Sequence, residues 1–173
     1  MSCAYLAFTE RGLALAQQLA AAWPGPVARC GAGGPGLDEW TAAQFAASDA
    51  LIYIGAVGIA VRAIAPHCRS KAADPAVVVL DECGRFAVPL LSGHLGGANA
   101  LARRLAAVCG AVPVITTATD LHGLFAVDEW AKRQGCIVAE PERIKQVSGA
   151  LLAGKRVHFT ADWPIQGPPP AGV

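Results

Sequence analysis

Nowhere does this chain string together the roughly 18 uninterrupted apolar residues that a membrane-spanning helix needs, although 54% of its 173 residues are hydrophobic. Much of that apolar content is alanine, and charged residues interrupt it throughout. The N-terminus, MSCAYLAFTERG, lacks a basic segment followed by a long apolar core and a small-residue cleavage site. No secretory signal is expected, therefore, and the expected location is cytoplasmic. Basic clusters are missing as well: with 14 basic and 13 acidic residues the net charge is +1, and no lysine or arginine cluster stands out beyond the pair Arg103 and Arg104. Duplex nucleic acid, which is held through many phosphate contacts, is thereby excluded as an expected partner. The six cysteines, at 3, 30, 68, 83, 109 and 136, show no C-x-x-C and no metal-ligand spacing. They are expected to be reduced, mostly buried small hydrophobes, with neither a metal site nor a disulfide framework.

What the chain does have is an alternation of β-branched runs with alanine- and leucine-rich helical stretches, the pattern of βαβ units on a largely parallel sheet. Strands are expected at CAYLAFT, VARC, ALIYI, AVVVL, FAVPLL, VPVIT, CIVAE and RVHFTA. Helices are expected through RGLALAQQLAAAW, with Thr9 as N-cap, over 38–48, from GAVGIAVRAIAPH to a stop at Pro66, through ALARRLAAV, through FAVDEWAKRQG and over 142–153. DECGR reads as a hairpin turn between AVVVL and FAVPLL, in which Asp81 and Glu82 are expected to be solvated. The expected fold is α/β: a Rossmann-like, mostly parallel open sheet with one antiparallel hairpin strand, followed by a smaller α/β extension. The expected organisation is an N-terminal α/β domain over 1–134, the start of a linking α/β region over 135–163, and a Pro/Gly-rich linker or tail over 164–173.

Four loops could carry chemistry. GAGGPG, at 31–36, has the letters of a dinucleotide fingerprint, but Pro35 lies inside it and no acidic residue follows at the usual distance, so a flexible loop is expected. GAVG, at 55–58, follows the most convincing strand and opens a helix carrying Arg62; glycines there let backbone amides approach an anion, and they equally serve close packing of helix on strand. LSGHLGGAN, at 91–99, holds more. Ser92 can cap or donate, His94 can exchange a proton near neutral pH, Gly93, Gly96 and Gly97 permit close backbone approach, and Asn99 falls in the first helical turn. A cap needs only Ser92 or Asn99 and leaves His94 and the glycine pair unexplained. Ser92 and His94 are a poor nucleophile and base, because the G-x-S-x-G elbow is missing and residues two apart on a tight turn rarely align. TTATD, at 116–120, supplies the hydroxyls of Thr116 and Thr117 and the Asp120 carboxylate, or simply caps the next helix. Arg69 and Lys71 either add positive charge to the loop after the third helix or form a solvated face.

If ALIYI, FAVPLL and VPVIT are parallel, with AVVVL reversed beside them, then GAVG, SGHLGG and TTATD emerge at one edge of the sheet, where open α/β sheets bind ligands. The resulting cleft suits a ligand bearing several carboxylates or phosphates.

Taken in order, GAVGIAVR, PLLSGHLGGAN and ITTATD resemble the N-terminal part of the cobalt-precorrin-5A hydrolase family of anaerobic cobalamin biosynthesis. The likeness is strong over 49–131 and looser on the flanks. It implies hydrolysis of the ring A lactone of cobalt-precorrin-5A, with release of acetaldehyde to give cobalt-precorrin-5B. It also implies no cofactor, since the cobalt belongs to the substrate. Members of that family usually carry a further C-terminal domain, so a C-terminal domain or a second copy is the expected protein partner. The expected catalytic set is His94, Ser92 and Asp120. The expected substrate-binding set is Gly55, Gly58, Arg62, Gly93, Gly96, Gly97, Asn99, Thr116 and Thr117. Two other readings of the same loops are a corrinoid-binding module without catalysis and an anion- or nucleotide-binding α/β domain.

Overall fold

The computed structural model describes residues 1–31, 33–70, 73–165 and 167. Ala32 of the GAGGPG loop, Lys71 and most of the expected 164–173 tail lie outside them. Two compact units are present, Met1–Val114 and Ile115–Val173.

The first unit is a six-stranded sheet of order β2-β1-β3-β4-β5-β6, made of β1 (Cys3–Ala7), β2 (Val27–Arg29), β3 (Ala50–Ile54), β4 (Ala76–Leu80), β5 (Phe86–Leu91) and β6 (Val112–Pro113). Its helices are α1 (Glu10–Ala22), α2 (Leu37–Ala47), α3 (Val57–Ile64), which Pro66 turns into a short 3-10 segment, and α4 (Ala98–Cys109). Strands β1, β3 and β4 are apolar at every position because they are buried on both faces. Side chains alternate across a strand. One face, with Leu6, Leu51, Tyr53, Val77 and Val79, packs on Trp40 of α2 and on Ala60 and Ile64 of α3. The opposite face receives α1, where Gly12 brings the helix backbone close to Ile54: a Cβ there would lie 3.2 Å from the Ile54 Cγ2. Thr9 caps α1 as expected, accepting the Gly12 N–H at 3.0 Å, and its hydroxyl also donates to Glu82 at 2.7 Å.

Strand direction departs from the expectation. β4 is parallel to β3, because α3 serves as the crossover between them; β5 is antiparallel to β4, and β6 is parallel to β5. The hairpin therefore reverses β5 and β6, not β4. Its turn is built by Asp81, whose carboxylate accepts the N–H groups of Cys83, Arg85 and Phe86 at 3.0, 2.9 and 2.8 Å. Asp81 is thus a turn former and Glu82 is bonded to Thr9, where solvated carboxylates were expected. The expected strand VPVIT is cut to Val112–Pro113, extended by one bond from the Val114 N–H to the Ala87 carbonyl. A proline has no N–H for a ladder, which suits the short edge it occupies here.

Tyr53 gives this core a pH signature. Its hydroxyl bonds to that of Thr41 at 2.9 Å, and burial pushes its pKa up to about 12 despite that bond. Raised above its unfolded value near 10, the group stabilises the fold in full below about pH 10, and that contribution falls as pH rises towards 12. We expect the phenolate absorbance of Tyr53, assigned by comparison with Tyr53→Phe, to develop only at the top of this window. Ionisation at pH 10 in the folded protein would contradict it.

The second unit contains α5 (Ala118–Leu121), α6 (Val127–Arg133) and α7 (Ile144–Leu152), with a 3-10 turn at Pro141–Arg143. Its core is Phe125, Trp130, Ala131 and Leu151, and the Trp130 ring meets Phe125 and Phe159 edge-on at 6.0 and 4.9 Å. Among the described residues it has no strand. CIVAE and RVHFTA keep the alternation that suggested strands: Cys136, Val138, Val157 and Phe159 pack on the core, while Ile137 is 94% exposed. A strand also needs a neighbour to take its N–H and C=O groups, and neither segment has one. The expected loop TATDLHG likewise contains the short helix α5.

Candidate functional site

The reversal of β5 separates two of the expected loops. GAVG leaves β3 beside the end of β4, where the Gly55 N–H donates to the Leu80 carbonyl at 2.8 Å. LSGHLGGAN leaves β5 at the opposite edge, beside the start of β4. Gly55, Gly58 and Arg62 therefore do not share a cleft with Ser92 and His94, and the single anion cleft drawn from parallel strands is corrected. The role of Gly55 is packing: a Cβ there would lie 2.6 Å from the Phe8 ring. The Arg62 guanidinium turns back on its own helix, donating to the Gly58 carbonyl at 3.4 Å.

Ser92, Gly93, His94, Gly96, Gly97 and Asn99 do come together in one built loop. Ser92 is buried and adopts φ 55°, the single left-handed non-glycine residue among those described. That conformation costs roughly 1–2 kcal/mol for an L-residue. It persists because it is held at both ends: the Ser92 hydroxyl donates to the Asp74 carbonyl at 2.9 Å, and the Ser92 carbonyl accepts the Ala98 N–H at 3.1 Å. The Asn99 N–H donates to the Gly93 carbonyl at 3.0 Å. Loop carbonyls thus take up the first amides of α4, whose N-cap residue, Gly97, has no side chain to do so.

Close approach crowds two of the three loop glycines, Gly96 against fixed atoms and Gly93 against the end of a side chain. A Cβ on Gly93 would lie 2.9 Å from the Asn99 Oδ1, and one on Gly96 would lie 2.4 Å from the Ser92 Cβ. Gly97 stands at φ 87° immediately before the helix. Among the described residues, no backbone carbonyl takes up the amides of Gly96 or Gly97. Both stand at the amino end of a 12-residue helix with no acidic residue in its first turn, where the partial positive charge favours an anion.

Asp74 is a residue the sequence reading missed. Buried, it binds the Arg69 N–H through both carboxylate oxygens, at 3.1 and 3.0 Å, while its carbonyl anchors Ser92. A lone Asp between alanine and proline carries no periodic signal, and only the fold reveals its partners.

In the second unit, Thr117 precedes α5 and its hydroxyl donates to the Asp120 carboxylate. Asp120 lines a cavity of about 290 Å³ together with Thr119, Glu129 and Arg133. The Asp120 and Glu129 carboxylates approach within 4.8 Å of each other. Glu129 and Arg133 were also missed, since DEWAKR reads simply as an amphipathic helix. Thr116 does not line this cavity.

Residues 39–120 match the family described as cobalamin synthesis G N-terminal, and residues 125–173 match the cobalamin biosynthesis central region. Two curated relatives, from Salmonella typhimurium and Priestia megaterium, are both named cobalt-precorrin-5A hydrolase. They are 48% and 39% identical over 119 and 129 residues, which is 68% and 71% of this chain. The chain spans about a third of the length of these relatives, 34% of each. A crystal structure of a cobalamin biosynthesis protein G homolog from Sulfolobus solfataricus aligns with a TM-score of 0.55 at 23% identity, over 94% of this chain and 51% of that one. That likeness supports the fold. No helix among the described residues is long and apolar enough to cross a membrane.

Proposed function

Since the chain belongs to the cobalamin synthesis G family and carries its N-terminal and central regions, we propose that it is part of an enzyme that hydrolyses the ring A lactone of cobalt-precorrin-5A, releasing acetaldehyde and leaving cobalt-precorrin-5B. The observation that carries this reading is that the family match includes the strained, glycine-packed loop 91–99. In this reading water adds to the lactone carbonyl as His94 removes its proton. The Gly96 and Gly97 amides receive the oxyanion. Collapse of the tetrahedral adduct breaks the lactone C–O bond, and the leaving oxygen takes the proton held by His94; the freed hydroxyl then gives up its proton to become the aldehyde as the carbon–carbon bond to the macrocycle breaks, its electron pair passing into the conjugated macrocycle, which takes up a proton. Ser92 holds the loop through Asp74, and Asn99 packs against Gly93 to keep it in register. Cobalt enters as part of the substrate, and the chain's own residues supply proton transfer and charge stabilisation. A further C-terminal domain or a second copy, and the cytoplasmic location, belong to the same proposal. In the second unit, Asp120 remains a proposed catalytic residue, and Thr116 and Thr117 proposed ligand contacts.

Anaerobic incubation with cobalt-precorrin-5A, using this chain alone and a longer form with the remaining family regions, tests the reading by acetaldehyde release. Release by the longer form is the expected result. Corrinoid binding without acetaldehyde from either form would replace the hydrolase by a binding module.

A further inference from the structure

A second polar cleft lies at the same sheet edge as the 91–99 loop, wholly within residues 1–114. Its volume is about 400 Å³, and it is lined by the apolar Phe45, Ala46 and Pro66 together with His67, Arg69 and Asp74. The Phe45 and His67 rings lie 5.6 Å apart at 35°, which sets the plane of the imidazole. Asp74 is buried, and its carboxylate is turned onto the loop backbone, where both its oxygens accept the Arg69 N–H, so the cations of the cleft have that one negative charge to outweigh. Among the described residues no carboxylate pairs with the guanidinium of Arg69, an exposed residue of the cleft lining. The available chemistry is therefore a guanidinium fork and an imidazole edge above an apolar floor.

We propose that this cleft is a carboxylate-binding subsite, in which Arg69 and His67 receive one acidic arm of the ligand while Phe45 and Pro66 cover its methylenes. The class of ligand rests on the corrinoid reading above, since the acetate and propionate arms of a corrin have this form. The cleft is coupled to the candidate catalytic loop by one bond, the Ser92 hydroxyl on the Asp74 carbonyl at 2.9 Å. An arm seated on Arg69 would thus bear on the same loop that holds His94. A merely solvated arginine would need neither the apolar lining nor an imidazole packed beside Phe45.

Two probes separate this subsite from the corrinoid reading. The first is glutarate, followed through the Arg69 and His67 resonances by heteronuclear NMR. The second is cobyrinic acid, a cobalt corrin with free acidic arms, compared with its fully methyl-esterified form by absorbance titration. We expect saturable glutarate shifts that Arg69→Ala abolishes and Arg69→Lys partly restores. We also expect free-acid corrin affinity about fivefold weaker in Arg69→Ala, as for one partly solvated charge-assisted hydrogen bond, with ester affinity unchanged. Glutarate binding that depends on Arg69, with no corrin binding, would keep the subsite and sink the corrinoid reading. Corrin or glutarate binding indifferent to Arg69, or no binding of either probe, would overturn the subsite.

Discussion

Gly96→Ala is expected to lower the melting temperature by about 5–10 °C, from a loss of about 2–3 kcal/mol, and to abolish turnover in the longer form. The added Cβ would stand 2.4 Å from the Ser92 Cβ, 2.9 Å from its carbonyl oxygen and 3.4 Å from the Ala76 N. None of these is the far end of a flexible side chain. Relief requires moving the Ser92 backbone, and that residue is already held in the left-handed region by its bonds to Asp74 and Ala98. Moving it breaks the anchor that joins the loop to the start of β4. Gly149→Ala is the control: Gly149 lies inside α7 with nothing within 4 Å of its would-be Cβ, so alanine there should raise stability by up to about 1 kcal/mol. Differential scanning calorimetry reads both. A Gly96→Ala melting temperature within 1 °C or so of the wild type would show that the loop yields freely, and the argument from close packing would fail.

His94→Ala is expected to cut kcat/KM for acetaldehyde release by roughly 10²–10⁴ in the longer form, the range lost with a general base. His94 is half-buried on the loop, and the bonds that build the loop include those of Ser92, Gly93, Ala98 and Asn99. Far-UV dichroism and the melting temperature, read alongside, separate loss of the base from loss of the fold. The discriminating readout is the pH profile. A base loses its action when protonated, so the wild-type kcat/KM should fall on the acid side, and that limb should vanish in His94→Ala. A uniform fall at every pH with the limb retained would make His94 a lining residue, and near-normal turnover would remove it from the mechanism.

Much of the fold was legible because it is local. Thr9 marks the start of α1, the apolar runs Cys3–Ala7, Ala50–Ile54 and Ala76–Leu80 mark buried strands, and DECGR marks a hairpin. These follow from backbone propensity, burial on both faces and turn chemistry, each of which is written within a few residues. The prominence of LSGHLGGAN was legible too, since a cap alone leaves its glycines unused. CIVAE and RVHFTA misled for a physical reason: alternation records that one face is buried, and helices bury it as well as a sheet does.

The residues by themselves determined the α/β class, the family likeness and the loop that merits first attention. Only the tertiary structure decided which loops share an edge of the sheet. Strand direction is set by whether a connection is a crossover or a hairpin across the whole sheet, a long-range property that no single motif encodes. It placed GAVG away from His94 and set Asp74, invisible in the pattern, beneath Ser92. The roles of Gly93 and Gly96 came to light in the same way, because a missing side chain has meaning only once its neighbours are known.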